Sequence, residues 1–331
     1  MSKGNIALFI PFQGCPFHCI YCDQRQISGS EILTPQRAAC EIRSAMDGRA
    51  EVPFDGDIAF FGGTFTGLPQ AEMTAYLQAA YPYVKSGRVR GIRLSTRPDF
   101  IDEKILSLLQ QYGVCHIELG VQSMDDEVLR LSGRGYTTQT VRESARKILS
   151  FGFSLGMQMM PGLPGDTPQK SMATAHAFAE MGAEEVRVYP TLVLRNTALA
   201  RLYDAGNYQP MTLEAAVSLC AALKTFFDQQ HITLLKMGLH STLSPNSVVA
   251  GPYHPAFGQL VNSRLCLDKM MAFCSENDCA DGILRVLPNQ YDASDIVGQR
   301  GQNRIALEKK QKLTLKILKK PLTNDEKYII L

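Results

Sequence analysis

Short apolar runs and longer amphipathic segments alternate along the first two thirds of the chain. Six runs predict β-strands, at 5–11, 57–62, 91–95, 116–120, 154–160 and 185–190, and the run at 232–240 is a candidate for a seventh. The segments between them place apolar residues at helical spacing. This order predicts an α/β fold with a parallel sheet and right-handed crossovers, either doubly wound or closed into a full or partial barrel.

Residues rich in glycine, proline and polar groups recur where the predicted strands end. The second to fifth strands lead into "FGGTFTG", "STRPD", "GVQS" and "PGLPGD", and a cysteine-rich segment follows the first strand. The carboxyl ends of parallel strands meet at one edge of a sheet, and sites in such folds lie there. The sequence therefore predicts one site assembled from these loops.

The strand and helix rhythm breaks after about residue 240, which predicts a first domain at 1–240 and a C-terminal extension at 241–331. Residues 244–265 are rich in loop-forming residues, and "KLTLKILKK" alternates in part like an edge strand. The segment 296–320 contains eight Lys or Arg and one Glu, which gives it a local charge of +7. It is predicted either to attract RNA phosphates or to form an ordinary solvated lysine-rich face.

Composition narrows the class of protein. The 331 residues are 45% hydrophobic and have a net charge of +2, which gives no overall attraction to nucleic acid or membrane. The N-terminus has no apolar run long enough for a signal peptide or a membrane span. A cytoplasmic protein with reduced cysteines is expected, in which a tight cysteine cluster binds metal or does redox chemistry.

The segment "GCPFHCIYC" contains Cys15, Cys19 and Cys22 in a C-x3-C-x2-C spacing. A zinc site would need a fourth ligand, and His18 is adjacent to Cys19 and poorly placed for a tetrahedron. A redox pair of Cys19 and Cys22 would leave Cys15 unused, and simple burial does not predict this spacing. The spacing favours a [4Fe–4S] cluster held by three thiolates, whose fourth iron is left open to chelate a small molecule.

The cysteine spacing, with Tyr21 before the third cysteine, resembles the signature of the radical S-adenosylmethionine superfamily. "GGTFTG", "STRPD", "ELGVQS", "RGYT" and "GLPGDT" are similar to the radical domain of the Elongator catalytic subunit and its short bacterial relatives, over roughly residues 5–240. Some of these motifs also resemble oxygen-independent coproporphyrinogen oxidase. The resemblance implies a partial (β/α)6-type, TIM-like barrel with a small C-terminal extension.

The resemblance also implies cofactors and chemistry. The three cysteines would ligate the cluster, and reductive cleavage of S-adenosylmethionine would yield a 5′-deoxyadenosyl radical that abstracts hydrogen from a substrate. An external low-potential electron donor of the flavodoxin or ferredoxin type is expected. The residues that would line the S-adenosylmethionine site are Tyr21, Gly62, Gly63, Thr64, Gln122, Arg134 and Gln158.

The substrate is left open by the sequence. The Elongator-like motifs and the basic segment favour an enzyme that acts on tRNA or another RNA. The alternatives are an enzyme that acts on a small metabolite, such as a tetrapyrrole, and a non-catalytic iron–sulfur or RNA-binding adaptor.

Two features depart from the relatives' pattern. Ser95 stands where the relatives usually have a glutamate, which puts a ribose-binding role at that position in doubt. The chain ends at residue 331, so an acetyltransferase domain and acetyl transfer are not expected.

Two smaller groups of residues have competing interpretations. The sequence supports two interpretations equally for a group of four residues. They either contact the substrate or are ordinary loop and cap residues; the four are Lys236, His240, Tyr253 and His254. The cysteines of "CLDKMMAFCSENDC", which are Cys266, Cys274 and Cys279, are expected to be unremarkable rather than a second metal site.

Overall fold

The computed structural model describes residues 4–10, 13–15, 19–23, 33–48, 53–238, 243–277, 282–321 and 327–331. His18, His240 and Cys279 lie outside these ranges. The chain forms two compact units, one of residues 1–212 and 226–253 and the other of residues 213–225 and 254–331. The domain boundary at 240 stays a prediction.

The first unit is built on a curled, seven-stranded parallel sheet with the order β1-β2-β3-β4-β5-β6-β8. Its strands are β1 (Ile6–Phe9), β2 (Ile58–Phe61), β3 (Ile92–Thr96), β4 (Val114–Gln122), β5 (Ser154–Met159), β6 (Glu185–Val188) and β8 (Thr233–Met237). A short antiparallel pair joins β7 (Val193–Leu194) to β9 (Val248–Ala250). The partial-barrel prediction is confirmed, and the candidate run at 232–240 supplies the seventh strand of the sheet.

Helices cross over between the strands as the apolar spacing predicts. They are α1 (Pro35–Asp47), α2 (Gln70–Lys85), α3 (Glu103–Gln111), α4 (Asp126–Leu131), α5 (Thr138–Ser150), α6 (Pro168–Glu180), α7 (Ala198–Asp204) and α8 (Leu213–Gln229). Two of these helices, α1 and α6, begin at a Thr-Pro pair, a usual signal for a helix start. The Thr34 hydroxyl accepts the N–H of Arg37, and the Thr167 hydroxyl accepts the N–H of Lys170.

The second unit contains a 20-residue helix, α9 (Phe257–Glu276), followed by β10 (Ile283–Leu287), α10 (Ala293–Val297), α11 (Gln302–Gln311), β11 (Thr314–Ile317) and β12 (Ile329–Ile330). The three strands are parallel in the order β11-β10-β12, so β11 is an edge strand as its alternation indicated. The loop-rich interpretation of 244–265 is wrong from Phe257 onward. Apolar residues are spread around α9 rather than gathered in one stripe, so its sequence has little helical periodicity.

None of the helices in the described parts of the chain is both long and apolar enough to cross a membrane.

Candidate cofactor site

The loop after β1 and the loop after β2 are in close backbone contact at the carboxyl edge of the sheet. The Thr64 amide donates to the Gln13 carbonyl at 2.8 Å, and the Cys15 Sγ lies 3.2 Å from the Thr64 hydroxyl. At Gly14, where φ is +70°, an added Cβ would lie 2.1 Å from the Thr64 carbonyl oxygen. At Gly63 a Cβ would lie 2.3 Å from the Gln13 carbonyl oxygen. Only glycine allows these two backbones to approach so closely.

Three aromatic side chains that pack against one another support these two loops. The ring centroids of Phe60 and Phe65 are 5.0 Å apart, and Tyr76 packs edge-on against Phe60 at 5.8 Å. The Tyr76 hydroxyl donates to Gln13 Oε1 at 3.1 Å. The loop that contains Gly62, Gly63 and Thr64 is therefore held on one side by β2 and α2.

Arg134 lies in the loop between α4 and α5 and contacts the second cysteine. It is 4% exposed, and its Nη1 donates to the Cys19 Sγ and to the Tyr21 hydroxyl, each at 3.1 Å. Its Nη2 donates to the Gly120 carbonyl, and its Nε donates to the Tyr136 hydroxyl at 2.9 Å. A buried guanidinium with this many partners is a fixed positive charge beside the Cys19 sulfur.

Sequence reasoning missed two residues of this network, Arg97 and Tyr136. Arg97 Nη1 lies 3.8 Å from the Cys19 Sγ, and Arg97 also forms a bidentate pair with Asp99 at 2.9 Å for both bonds. Tyr136 bonds the Arg134 guanidinium and donates to the Gly120 carbonyl at 2.9 Å. Both residues stand inside the quoted motifs "STRPD" and "RGYT", so the signal was present in the motifs themselves.

The three thiols are close enough to act electrostatically on one another. Burial, and after it the neighbouring thiolates, raises the pKa of Cys22; burial also raises the pKa of Cys15. Burial has the same tendency at Cys19, but the charge and hydrogen bond of Arg134, helped by Arg97 and Tyr21, lower the pKa of this thiol overall. Cys19 is therefore the one of these three thiols whose pKa the surrounding protein lowers.

Tyr21 anchors the cysteine loop in an apolar cluster. The side chain is 8% exposed and packs with Val128, Leu163 and Leu199. The backbone just before it is held in place, because the Ile20 amide donates to the Ser132 carbonyl and the Ile20 carbonyl accepts from the Leu199 amide. Tyr21 thus lies in an apolar cluster against which Cys19 and Cys22 also pack. Its contact with a cofactor stays a prediction.

Gln122 and Gln158 meet at the carboxyl ends of β4 and β5. The Gln158 Nε2 donates to the Gln122 Oε1 at 3.1 Å, and Gln122 has a φ of +76°, in the left-handed region that a non-glycine residue adopts only when neighbours hold it there. A Cβ added at Gly120 would lie 3.1 Å from the Gln122 Nε2 and 3.8 Å from the Arg134 Nη2. Gly120 is therefore the point at which the glutamine pair and the arginine come together.

The remaining residues discussed in the sequence analysis lie elsewhere in the chain. Ser95 is on β3, in register with Glu118 of β4. The His254 Nδ1 accepts the N–H of Ala256 at 3.1 Å, which fits the ordinary interpretation as a loop residue just before α9. Cys266 and Cys274 both lie on α9, and Cys266 is buried.

A second group of possible metal ligands lies at the opposite, amino edge of the sheet. Side-chain atoms of Asp57, Cys115 and His116 fall within 4.8 Å of one another. Arg90 and Arg93 already lie 3.2 Å and 3.5 Å from the Asp57 carboxylate. Their positive charges oppose the binding of a cation there.

Comparison of the sequence with known protein families assigns this chain to one of them. The sequence matches the family model of the Radical SAM superfamily over residues 9–177, and that of the Radical_SAM C-terminal domain over residues 183–266. The first match covers half of the chain, so the protein belongs to the radical SAM superfamily. It is an enzyme, and the cofactors of its class are a [4Fe–4S] cluster and S-adenosylmethionine.

Within the superfamily the chain is similar to Elongator proteins. It is 24% identical to the tRNA uridine(34) acetyltransferase of Dehalococcoides mccartyi, over 63% of this chain and 53% of that protein. It is 30% identical to human Elongator complex protein 3, over 49% of this chain and 33% of that protein. The fold is shared with the archaeal Methanocaldococcus infernus Elp3 at a TM-score of 0.65 and 18% identity, over 83% of this chain and 66% of that one.

The match spans a third to about half of the length of these curated relatives. The resemblance to Elongator proteins that the motifs predicted is confirmed.

The donor set at the carboxyl edge fits a [4Fe–4S] cluster. Burial and mutual repulsion raise the pKa values of Cys15 and Cys22, and bound iron would supply the positive charge that makes three thiolates stable together. Arg134 and Arg97 are placed to hydrogen-bond a cluster sulfur ligand without ligating iron. Which residues hold the cluster and the cofactor stays a prediction.

Proposed function

We propose that the chain holds a [4Fe–4S] cluster through Cys15, Cys19 and Cys22 and uses S-adenosylmethionine at the same edge to modify RNA by hydrogen abstraction. When bound, these cofactors supply a radical: one electron from a low-potential donor breaks a sulfonium C–S bond, methionine leaves, and the 5′-deoxyadenosyl radical takes a hydrogen atom from substrate carbon. The observation that supports this proposal is the convergence of Thr64 and Arg134 on cysteines of one loop.

The chain's own residues would divide the remaining tasks. Gly62 and Gly63 present bare backbone at the sheet edge, which suits close approach of a ligand's amino group. The Gln122 and Gln158 amides offer hydrogen bonds to a ribose, and their mutual bond fixes their orientation. Arg134 stabilises the thiolate of Cys19 and holds the Gly120 backbone in place.

The activity is tested by anaerobic reconstitution with iron and sulfide, followed by dithionite and S-adenosylmethionine. We expect release of 5′-deoxyadenosine and its loss in Cys19→Ser. Cys40→Ser is the matched control, because Cys40 is an exposed cysteine on α1. A protein with about four iron atoms per chain that releases no 5′-deoxyadenosine would contradict the proposed chemistry.

The basic surface of the second unit supports RNA as the partner. All eight Lys and Arg residues of 296–320 are exposed, and the one acidic residue among them is Glu308. A dense, exposed positive surface binds phosphodiester backbones by releasing their counterions. The name of one relative, a tRNA uridine(34) acetyltransferase, points to the same class of partner. A cytoplasmic location would suit such a substrate.

The RNA proposal predicts a salt-dependent affinity for tRNA that depends on this surface. Changing Arg300, Arg304, Lys309 and Lys310 to Gln should reduce the slope of log K against log salt by roughly 3, since each lost phosphate contact removes about 0.7–0.9. The measurement is tRNA binding by filter retention or fluorescence anisotropy at several salt concentrations.

A matched control changes four exposed basic residues of the first unit to Gln, which are Arg43, Lys85, Lys104 and Arg146. Their loss should leave the slope nearly unchanged. If the unmodified protein fails to bind tRNA even at low salt, RNA is not the substrate and a small metabolite becomes the better hypothesis.

A further inference from the structure

The concave inner face of the sheet is lined by charged side chains rather than by the branched apolar residues that fill a closed barrel. Along β6, Glu185 and Arg187 alternate with the fully buried Val186 and Val188. Arg187 reaches across to β2, where its Cζ lies 5.1 Å from the centroid of the Phe61 ring. A contact between strands that are not neighbours requires that this face curve inward.

The charges nearest the amino edge of this face are paired. Arg93 of β3 bonds Glu185 of β6, and it lies 3.5 Å from Asp57. Arg90 contacts the same Asp57 carboxylate at 3.2 Å. Arg90 also lies 3.8 Å from the Asp55 carboxylate, so both arginines have carboxylate partners, and Asp57 and Arg93 are at most 3% exposed.

The next pair toward the carboxyl edge is balanced as well. The Arg187 Nε donates to Glu118 Oε2 at 2.8 Å, and Glu118 is 4% exposed. Gly156 lies between these two strands without a side chain, in register with Glu118, which leaves room for the Arg187 guanidinium to reach across.

Lys236 is the exception on this face. It is half-buried on β8 and in register with Arg187, so the two side chains leave the sheet on the same side. Within the described parts of the chain, no carboxylate lies within ion-pair distance of its amine. Arg187 is already committed to Glu118, so Lys236 adds one uncompensated positive charge to the inner face. A partly buried cation without a partner is costly unless an anion binds it.

The distance between Lys236 and Gln158, a predicted cofactor residue, indicates which molecule could supply an anion to Lys236. Gln158, Arg187 and Lys236 occupy one row across β5, β6 and β8. Two strand spacings separate the first from the last, which is about 10 Å. That distance is within the length of one nucleotide.

We propose that Lys236 binds an anionic group of the substrate, a phosphate or a carboxylate, on the inner face next to the reacting position. The inference rests on the proposed function, and it adds a substrate contact that lies outside the cofactor network of Arg134. Glu118 acts as a positioning residue in this arrangement, because its bond to Arg187 leaves the lysine as the free cation.

The test uses the cluster-loaded protein with uridine 5′-monophosphate and uridine as probes, measured by anaerobic calorimetry. Lys236→Met should weaken binding of the monophosphate by about tenfold or more, the usual value of a charged hydrogen bond. Binding of uridine should be unchanged, and Lys236→Arg should restore the affinity for the monophosphate. Lys104→Met on α3 is the exposed control, and equal melting temperatures show that each variant folds.

Three results would overturn the proposal: an unmodified protein that does not prefer the monophosphate over uridine, a Lys236→Met variant that keeps this preference, or an equal loss for both probes. S-Adenosylhomocysteine is a third probe. If Lys236→Met weakens its binding and spares the monophosphate, the anion is the cofactor's carboxylate and the proposal is wrong. Release of 5′-deoxyadenosine is measured separately, so failure of the proposed chemistry and failure of this site are distinguishable.

Discussion

Replacing Gly14 by alanine should abolish most iron loading while leaving the sheet folded. The added Cβ would lie 2.1 Å from the Thr64 carbonyl oxygen and 2.9 Å from the Leu68 backbone nitrogen. Those atoms cannot move away easily, because Phe65 beside them is stacked on Phe60 and packs against Tyr76. The φ of +70° adds about 1–3 kcal/mol of strain for a residue with a side chain. The cysteine loop must therefore move away from the glycine loop, and with it Cys15.

The measurement is iron and sulfide content after anaerobic reconstitution, together with far-ultraviolet circular dichroism. Gly87→Ala is a close control, because Gly87 has nearly the same φ, +71°, but no atom within 4 Å of its added Cβ. We expect at least a fivefold loss of bound iron in Gly14→Ala and a normal content in Gly87→Ala. Normal loading in both variants would show that the close approach of the two loops is not needed for the cluster.

Arg134→Met should have the largest effect of a side-chain change outside the cysteines. The substitution keeps the approximate length of the side chain and removes hydrogen bonds to Cys19, Tyr21, Tyr136 and Gly120. Removing one partner from a buried charged network costs about 3–5 kcal/mol, which corresponds to roughly a hundredfold or more in rate or affinity. We expect 5′-deoxyadenosine release to fall by that factor, with weaker retention of the cluster.

Two further variants separate charge from geometry at this position. Arg134→Lys keeps the positive charge but lacks the fork that reaches several partners at once, so its activity should be intermediate. Arg130→Met removes an exposed arginine that is paired with Glu127 on the same helix, and it should change little. Full activity in Arg134→Met would mean that the guanidinium does not serve the site.

The sequence predicted the sheet well because its signals are local. Apolar runs and Thr-Pro starts depend only on near neighbours, and the seven strands of the sheet fall on the predicted runs. The contacts that tie Arg97 and Arg134 to Cys19 join residues 78 and 115 positions apart. Such contacts exist only once the sheet has curled, and residue spacing does not give the distance between two loops at the carboxyl edge of a curled sheet.

The inner face shows a further limit of sequence reasoning. In a strand such as β6, alternation of polar and apolar residues usually indicates one face in water. Here Glu185 and Arg187 face the inside of a curled sheet and are paired across it with Arg93 and Glu118. The pairing partners come from different strands, so the sequence gives the alternation but not the environment. Helix α9 was missed for a different reason, since it has no apolar stripe.

The two guanidinium groups at Cys19 also bear on electron transfer. A reduced cluster carries one more negative charge than an oxidised one, and nearby positive charge and hydrogen bonds to sulfur favour the reduced form. Arg134 and Arg97 both approach the same sulfur. A cluster on this loop would therefore have a less negative reduction potential than one surrounded by neutral side chains, and a weaker reductant would be able to reduce it.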